Sequence, residues 1–353
     1  MTAVDNFKTT GHIEDMTTYQ ALQVTGEHNF QLVDRELVDP EPGQVRIRIE
    51  ACGVCHTDML AVEGLRADPS APIVPGHELV GVIDAVGAGV HAWHAGERVG
   101  VGFLGGHCGE CDPCRRGDFV NCENQPTTGT TVDGGYAQYT YARISGLVRV
   151  PEGLSSIDAA PLLCAGLTVL SALRKANAGP GALVAVQGIG GLGHLAIQYA
   201  KHLGFQVAAI ARGTGKEDLA RKLGADHYID SKAGDPGAAL KELGGAATIV
   251  ATASGGASMA PLVPGLANNG TLVVVGASPD PIPVHSADLI FGGRGLLGSL
   301  TGSAIENEDN LRFSLANDVR PMVEVVPWQE APKAYDRMMA GQARFRMVLD
   351  MAA

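Results

Sequence analysis

Between Cys108 and Cys122 the chain reads C-G-E-C-D-P-C-R-R-G-D-F-V-N-C, with cysteines at 108, 111, 114 and 122. Two residues between ligands let a tight turn aim paired thiolates at one ion, and the fourth cysteine closes a tetrahedron. Gly105, Gly106, Gly109, Pro113 and Gly117 disfavour a regular helix or strand here. Such a loop cannot bury a core, so its order must come from something other than apolar packing. A zinc site supplies it, since structural zinc contributes roughly 10–16 kcal/mol of apparent binding energy. Four protein ligands leave no position for a substrate, so Cys108, Cys111, Cys114 and Cys122 are expected to hold a structural zinc, with the chemistry elsewhere. The competing reading, a pair of disulfides, needs an oxidising compartment. With Cys52, Cys55 and Cys164 the cysteines number seven. An odd set suits metal ligands and free thiols better than a disulfide framework, and a cytoplasmic location fits best.

A length of 353 residues suggests about two domains. Hydrophobic residues make up 45% and charged residues 18%, enough apolar content for two cores. The net charge of −12 argues against a nucleic-acid partner or an acidic membrane surface. No apolar run approaches the roughly 18 residues of a membrane span, so no membrane association is expected. The polar N-terminus lacks the charged and apolar regions of a secretory signal, and residues 1–17 read as a flexible extension.

From Tyr19 to Val150 the text is short, β-branched and broken by Gly and Pro, with QVRIRIE alternating over Gln44–Glu50 and a valine-rich strand over Leu79–Val86. That pattern suggests an all-β or barrel-like domain. Helical text follows over Ser155–Ala160 and Leu162–Lys175. Strands and helices then alternate: strands at 182–187, 206–211, 227–229, 248–251 and 271–275, with helices through Leu203 and near 216–223, 238–243 and 258–266. This is the rhythm of a parallel sheet covered on both faces by helices. After Leu300 the rhythm stops. Pro321–Val326 reads as strand, Ala331–Ala340 as helix and Arg346–Asp350 as a last strand, a tail expected to return to the first domain.

Three further residues can form a second metal site, although spacing alone would not group them: Cys55 in A-C-G-V-C-H-T-D, His77 in P-G-H-E-L-V-G and Cys164 in P-L-L-C-A-G. Two thiolates and an imidazole with one open position make a catalytic zinc site. Taken singly, Cys164 reads equally as a small buried apolar residue and His77 as a turn histidine. The run G-I-G-G-L-G follows the apolar strand ALVAVQ. Gly188 permits its tight turn, Gly190 lets the backbone approach a pyrophosphate, and Gly193 allows close helix–strand packing.

Taken in order, C-G-V-C-H-T-D, G-H-E-L-V-G-V-I-D-A-V-G, the four-cysteine run, P-L-L-C-A-G and G-I-G-G-L-G resemble the zinc-dependent medium-chain alcohol dehydrogenases, in wording closest to their yeast and bacterial tetrameric branch. The resemblance runs from about Tyr19 to Asp350. It implies an α/β protein with a GroES-like, β-rich catalytic domain (18–160), a Rossmann doubly wound parallel-sheet cofactor domain (161–299) and a C-terminal return to the catalytic domain (300–353). It implies two zinc ions per chain, the catalytic one on Cys55, His77 and Cys164. It also implies a small alcohol or aldehyde substrate and a homotetramer, with a homodimer as the alternative. Thr57 matches the hydroxyl that relays the alcohol proton, with a helix N-cap as its other reading. Asp58 matches the carboxylate that orients the zinc-bound histidine, and Glu78 an acid beside the metal. His56 and Arg346 match cations near the cofactor pyrophosphate. Phe103 or Leu104 resemble positions that narrow the substrate cleft, whereas Trp93 reads as core and Cys52 as a buried thiol. Leu60 stands where relatives often carry a histidine that passes the proton to solvent. The relay must therefore end at Thr57 and a ribose hydroxyl, or use His56 or water.

Cofactor choice turns on the end of the second strand, A-A-I-A-R-G-T-G-K. An NAD enzyme places an acid there for the adenine-ribose hydroxyls. Here Ala211 and Arg212 stand instead, with Lys216 beyond. The missing carboxylate removes repulsion toward a 2′-phosphate, and a guanidinium binds one bidentately. NADP(H) is expected, with NAD(H) as the alternative. The dinucleotide contacts are expected from His56, Gly188, Ile189, Gly190, Gly191, Leu192, Gly193, Ala211, Arg212, Lys216, Val275 and Arg346. A related reductase acting on other carbonyls is the competing activity, and a non-catalytic nucleotide-binding protein the competing class.

Overall fold

Alternation in QVRIRIE and continuity in LVAVQ send the two parts of the chain into different sheets. In the first segment inward residues alternate with half-exposed ones. In the second every residue is buried, as a strand covered on both faces requires. The computed structural model describes residues 17–175 and 178–353. Of the expected N-terminal extension, only Thr17 falls within them.

Strands β1 (Thr18–Val24) and β2 (Phe30–Glu36) form an antiparallel pair. They are followed by β3 (Gln44–Val54), β4 (Leu79–Val86), β5 (Arg98–Val101), β6 (Tyr139–Arg143) and β7 (Leu147–Arg149). The second sheet contains β8 (Leu183–Gln187), β9 (Gln206–Ala211), β10 (His227–Asp230), β11 (Ala246–Ala251), β12 (Leu266–Val274) and β13 (Gly295–Gly298). The chain ends with β14 (Val323–Pro327) and β15 (Arg346–Asp350). The first sheet runs β14-β15-β3-β4-β5-β7, with β6 also pairing β3. The protein thus has a β-rich GroES-like domain and a Rossmann-like parallel-sheet domain.

The second sheet is parallel throughout, in the order β10-β9-β8-β11-β12-β13. The order reverses between β8 and β11, the switch point where a doubly wound sheet opens a crevice beyond its strand ends. The glycine-rich turn follows β8 directly. In the first sheet, Cys52 of β3 lies opposite Leu79 of β4, and Met347 of β15 opposite Val54. That register gathers three sequence-distant points at one sheet end: Cys55 just past β3, His77 and Glu78 just before β4, and Arg346 opening β15.

Several elements depart from expectation, among them the helix Ala304–Ala316, which lies where the strand–helix rhythm was expected to have stopped. The helical text on either side of Pro161 is one continuous helix over Ser156–Lys175, interrupted by a π turn at Leu162–Gly166. Its 20 residues are long and apolar enough to cross a bilayer, contrary to the absence of such a run, but 78% of the apolar window is buried against this protein's own core. The expected helix over 258–266 is instead a short helix (Gly256–Met259) and a 3-10 turn (Ala260–Gly265), and Leu266 already belongs to β12. Strand β13 lies where no strand was expected.

Candidate metal and dinucleotide sites

In the four-cysteine loop, the sulfur of Cys122 lies 3.7 Å from that of Cys108 and 4.0 Å from that of Cys111, with Cys108 and Cys114 also 4.0 Å apart. A disulfide would need about 2.05 Å. The edge of a tetrahedron with zinc–sulfur bonds of about 2.3 Å is about 3.8 Å, so the spacing fits a metal. The backbone N–H groups of Glu110 and Cys111 point at Cys108 Sγ from 3.5 and 3.4 Å. Led by these donors, the surroundings pull that thiol down to about 6, toward the thiolate a metal requires.

The second cluster is assembled by the sheet end described above. Ligand-type atoms of Cys55, His77, Glu78 and Cys164 all lie within 4.8 Å of one another. His77 is buried; its Nδ1 lies 2.8 Å from Asp58 Oδ1, and its Nε2 has no hydrogen-bond partner in the protein. An unpartnered buried imidazole nitrogen facing two thiols fits a metal, and the donor set of soft sulfur and imidazole suits zinc. Burial opposes the charged ring, but Asp58 and Cys55 outweigh it and hold His77 well above its ordinary value. The Cys55 thiol is pulled well down by a hydrogen bond from Cys164, against burial, while Cys164 is pushed up by that bond and by burial. Two such thiols beside an imidazole cannot both ionise cheaply without a cation among them.

Asp58 is the hub of the surrounding network. Its Oδ2 accepts from the Cys55 backbone N–H and from the hydroxyl of Tyr136, each at 2.9 Å. Thr57 is half-buried, and the cap positions flanking it fall to Cys55 and Asp58, so the N-cap reading of Thr57 fails. Phe103 meets the His77 ring edge-on at 5.3 Å, and Leu104 is half-buried beside it in sequence. Trp93 is buried under the Arg149 guanidinium, and Cys52 is fully buried.

Glu78 and Arg346 form a buried ion pair through Oε1 and Nη2. Burial pushes the Glu78 carboxyl up to about 7 even though Arg346 opposes the shift. Gly53 is required there, because any Cβ would overlap the Glu78 carboxylate. The same guanidinium reaches the other site, since a Cβ on Gly191 would come within 2.8 Å of Arg346 Nη1. One cation therefore touches both the metal-type cluster and the glycine-rich turn.

Within that turn, Gly188 has a positive φ of 89° and Gly193 is packed so closely that a Cβ would overlap Gly188 O. A Cβ on Gly190 would meet nothing within 4 Å: the space in front of it is the cradle a pyrophosphate needs. Ile189 is buried, Leu192 is half-buried, and Val275 packs against the same core past β12. Lys216 Nζ donates to Ile189 O at 2.6 Å and stands over the Phe345 ring. Burial, then Arg344 and Arg212, lower its pKa, which marks the three as a cationic group. Arg212 and His56 are exposed, and Ala211 is half-buried at the strand end.

Sequence reasoning missed several neighbours. Tyr136, buried in G-G-Y-A-Q, gave no signal because a core tyrosine looks the same. Arg344 sits in the same G-Q-A-R-F-R run as Arg346 and could have been found there. Asp230 of β10 pairs in register with Ala211, and its Oδ1 accepts from Gly213 N at 2.6 Å. His194, the residue after Gly193, is buried with Nδ1 at 2.8 Å from Gly190 O and Nε2 accepting from Met322 N at 3.1 Å. A carbonyl only accepts and a backbone N–H only donates, so the ring is neutral with its proton on Nδ1.

Burial lowers His194 to about 4. That value lies below the unfolded one of about 6.5, so on acidification the unfolded chain takes up this proton first. The stabilisation is complete above about pH 6.5 and is lost toward pH 4, by about 3 kcal/mol in all. Denaturant titrations are expected to show a steeper loss over this window for the native chain than for His194→Gln. Equal slopes would contradict the assignment.

Residues 41–152 match the alcohol dehydrogenase GroES-like domain and residues 191–316 the zinc-binding dehydrogenase domain. An alcohol dehydrogenase of Aspergillus sp. is 43% identical over 325 residues, covering 92% of this chain and 95% of that protein. One of Geobacillus stearothermophilus is 42% identical over 309 residues, 87% of this chain and 92% of its own length. Among solved structures, a cinnamyl alcohol dehydrogenase of Sorghum bicolor superposes with a TM-score of 0.87 at 33% identity, over 95% of this chain and 98% of that one. Likeness of this strength along almost the whole length, in sequence and in structure alike, makes the chain a member of the zinc-binding medium-chain dehydrogenase/reductase family.

Proposed function

We propose that the protein is a zinc-dependent alcohol dehydrogenase or aldehyde reductase that transfers hydride between an alcohol carbon and NADP(H). The reading is carried by His77, an imidazole without a protein partner at Nε2, meeting two thiols beside a cation that also touches the glycine-rich turn. Zinc held by Cys55, His77 and Cys164 would act as a Lewis acid toward an alcohol or carbonyl oxygen. A nicotinamide dinucleotide on the turn would supply or accept the hydride. Asp58 keeps the His77 ring oriented through Nδ1, and Tyr136 and the Cys55 N–H hold Asp58 in turn. The Thr57 hydroxyl would accept the alcohol proton while giving up its own. Leu60 offers no group to carry it further, so the released proton would reach exposed His56 or water, directly or by way of a cofactor ribose hydroxyl. Phe103, edge-on to His77, and Leu104 would narrow the cleft, and Arg346 would meet the pyrophosphate. A panel of primary, secondary and aromatic alcohols and aldehydes tests the activity; no turnover of any member with either cofactor would overturn it.

The preference for NADP(H) is supported by the cationic group of Arg212, Lys216 and Arg344 and by Ala211 in place of an acid. Asp230 favours the NAD(H) alternative, since it pairs in register with Ala211 at the strand end; its Oδ1, however, already accepts from the N–H groups of Gly213 and Lys232. Turnover at equal concentrations is expected to favour NADP(H). Arg212→Ala is expected to raise the NADPH KM by about 10- to 100-fold, the loss of one charge-assisted contact, and to leave that for NADH unchanged. A strong native preference for NAD(H) would refute the assignment.

Self-association is supported by the edge strand β13, around which Ile290, Phe291, Leu296, Leu297 and Leu300 are exposed. We expect a homotetramer, or a homodimer, on light scattering, and dissociation in Phe291→Asp; a native monomer would contradict it. The thiol-rich metal sites suit a reducing compartment.

A further inference from the structure

Cys164 is the one residue of the catalytic cluster carried by a long helix, and the helix is irregular where it stands. Over Leu162–Gly166 it winds as a π turn, with Leu167 N–H reaching back five residues to Leu162 O. Such turns are rare and recur at functional sites, because the wider winding re-aims a side chain. Something must hold the wider form against the ordinary one.

Two buried asparagines contact the turn's backbone. Asn310 Nδ2 donates to Leu162 O at 2.9 Å, and Asn307 Nδ2 donates to Leu163 O at 2.8 Å. Asn310 Nδ2 also donates to Asn307 Oδ1 at 3.1 Å, so the two amides act as one unit. Behind them, Tyr199 donates its hydroxyl to Asn310 Oδ1 at 2.5 Å, and Ser314 Oγ lies 2.7 Å from that hydroxyl and 2.8 Å from Asn310 O. All four side chains are buried. Both leucine oxygens can only accept, which fixes the orientation of each amide.

Four buried polar groups are costly where alanine or leucine would pack without desolvation, so the network is there for geometry more than for burial. Its two contacts fall on the peptides immediately before Cys164. The asparagines lie on the helix Ala304–Ala316, which is anchored independently: Glu308 Oε1 accepts from Arg149 N of β7 at 3.1 Å, in the catalytic domain. We infer that Asn307 and Asn310 are positioning residues that fix Cys164 Sγ in the metal cluster by clamping the carbonyls of Leu162 and Leu163. This rests on the reading of Cys55, His77 and Cys164 as a zinc site.

The test uses the full-length protein, zinc-loaded and cobalt-exchanged, as native chain, Asn307→Leu, Asn310→Leu and Ser314→Ala. Zinc release to a chromophoric chelator, the cobalt–thiolate charge-transfer band and the melting temperature are read for each. Asn307→Leu and Asn310→Leu are expected to release one of two metals about 10- to 100-fold faster and to shift the cobalt band. Ser314→Ala, which touches no carbonyl of the turn and acts on it only through Tyr199 and Asn310, is expected to speed release and shift the band less than either asparagine variant. Native release rates and an unmoved band in both asparagine variants would overturn the inference, whatever their melting temperatures. If Asn310→Leu does not fold, Asn307→Leu alone decides, since its contact adjoins Cys164. A native chain that binds a single metal would instead sink the zinc reading, and the inference with it.

Discussion

Replacing Cys164 with alanine is expected to leave one zinc per chain where the native protein holds two, and to cut alcohol turnover by about 10³-fold or more. Lewis-acid stabilisation of a developing oxygen charge is worth several kcal/mol, and each 1.36 kcal/mol is a factor of ten in rate. The fold is expected to survive. His77 stays fixed by Asp58, Glu78 keeps its ion pair with Arg346, and the lost sulfur leaves only a small void in a helix held along its buried length. Metal analysis and single-substrate kinetics on the same preparation check both halves. Two zincs retained, or turnover within a few-fold of native, would contradict the role given to this thiol.

Cys114→Ser is expected to have the opposite profile. Cys114 is buried in its loop, and its sulfur belongs to the set spaced 3.7–4.0 Å apart. The loop has little apolar packing of its own, so losing roughly 10 kcal/mol of metal binding should unfold it. A whole domain is stabilised by only about 5–15 kcal/mol, so thermal stability should fall sharply as well. Limited proteolysis is expected to cut within 105–125, while the zinc at Cys55 is retained by the material that stays folded. Resistance to protease equal to the native chain would show that the loop is ordered by something other than metal.

These profiles differ because the two sites are written in the sequence differently. The four-cysteine ligands are local, so their spacing alone describes the geometry. The glycine-rich turn is local too, and its preceding strand is apolar on every residue because both faces are covered. Cys55, His77 and Cys164 are invisible to spacing. They meet because β3 and β4 pair antiparallel with Cys52 opposite Leu79, and because the helix Ser156–Lys175 packs against both sheets. Only whole motifs, compared with a family, could group them. The missed features have physical reasons as well. The helical text continues past Pro161 as expected, but nothing in it signals that the helix winds as a π turn over Leu162–Gly166. Leu296 and Leu297 lie on an edge strand that exposes apolar side chains, so periodicity gives no sign of burial there. Asn307 and Asn310 lie where no helix was expected, past the point at which the strand–helix rhythm stops, and nothing in A-I-E-N-E-D-N-L tells that their amides turn inward toward two carbonyls.

The most direct test of the central claim is an anomalous-scattering map collected at the zinc absorption edge from crystals of the native protein. Two peaks per chain are expected, one in the four-cysteine loop and one about 2.3 Å from the sulfurs of Cys55 and Cys164 and about 2.0–2.1 Å from His77 Nε2. A single peak in the loop, with no scattering between Cys55, His77 and Cys164 in zinc-replete crystals, would contradict it.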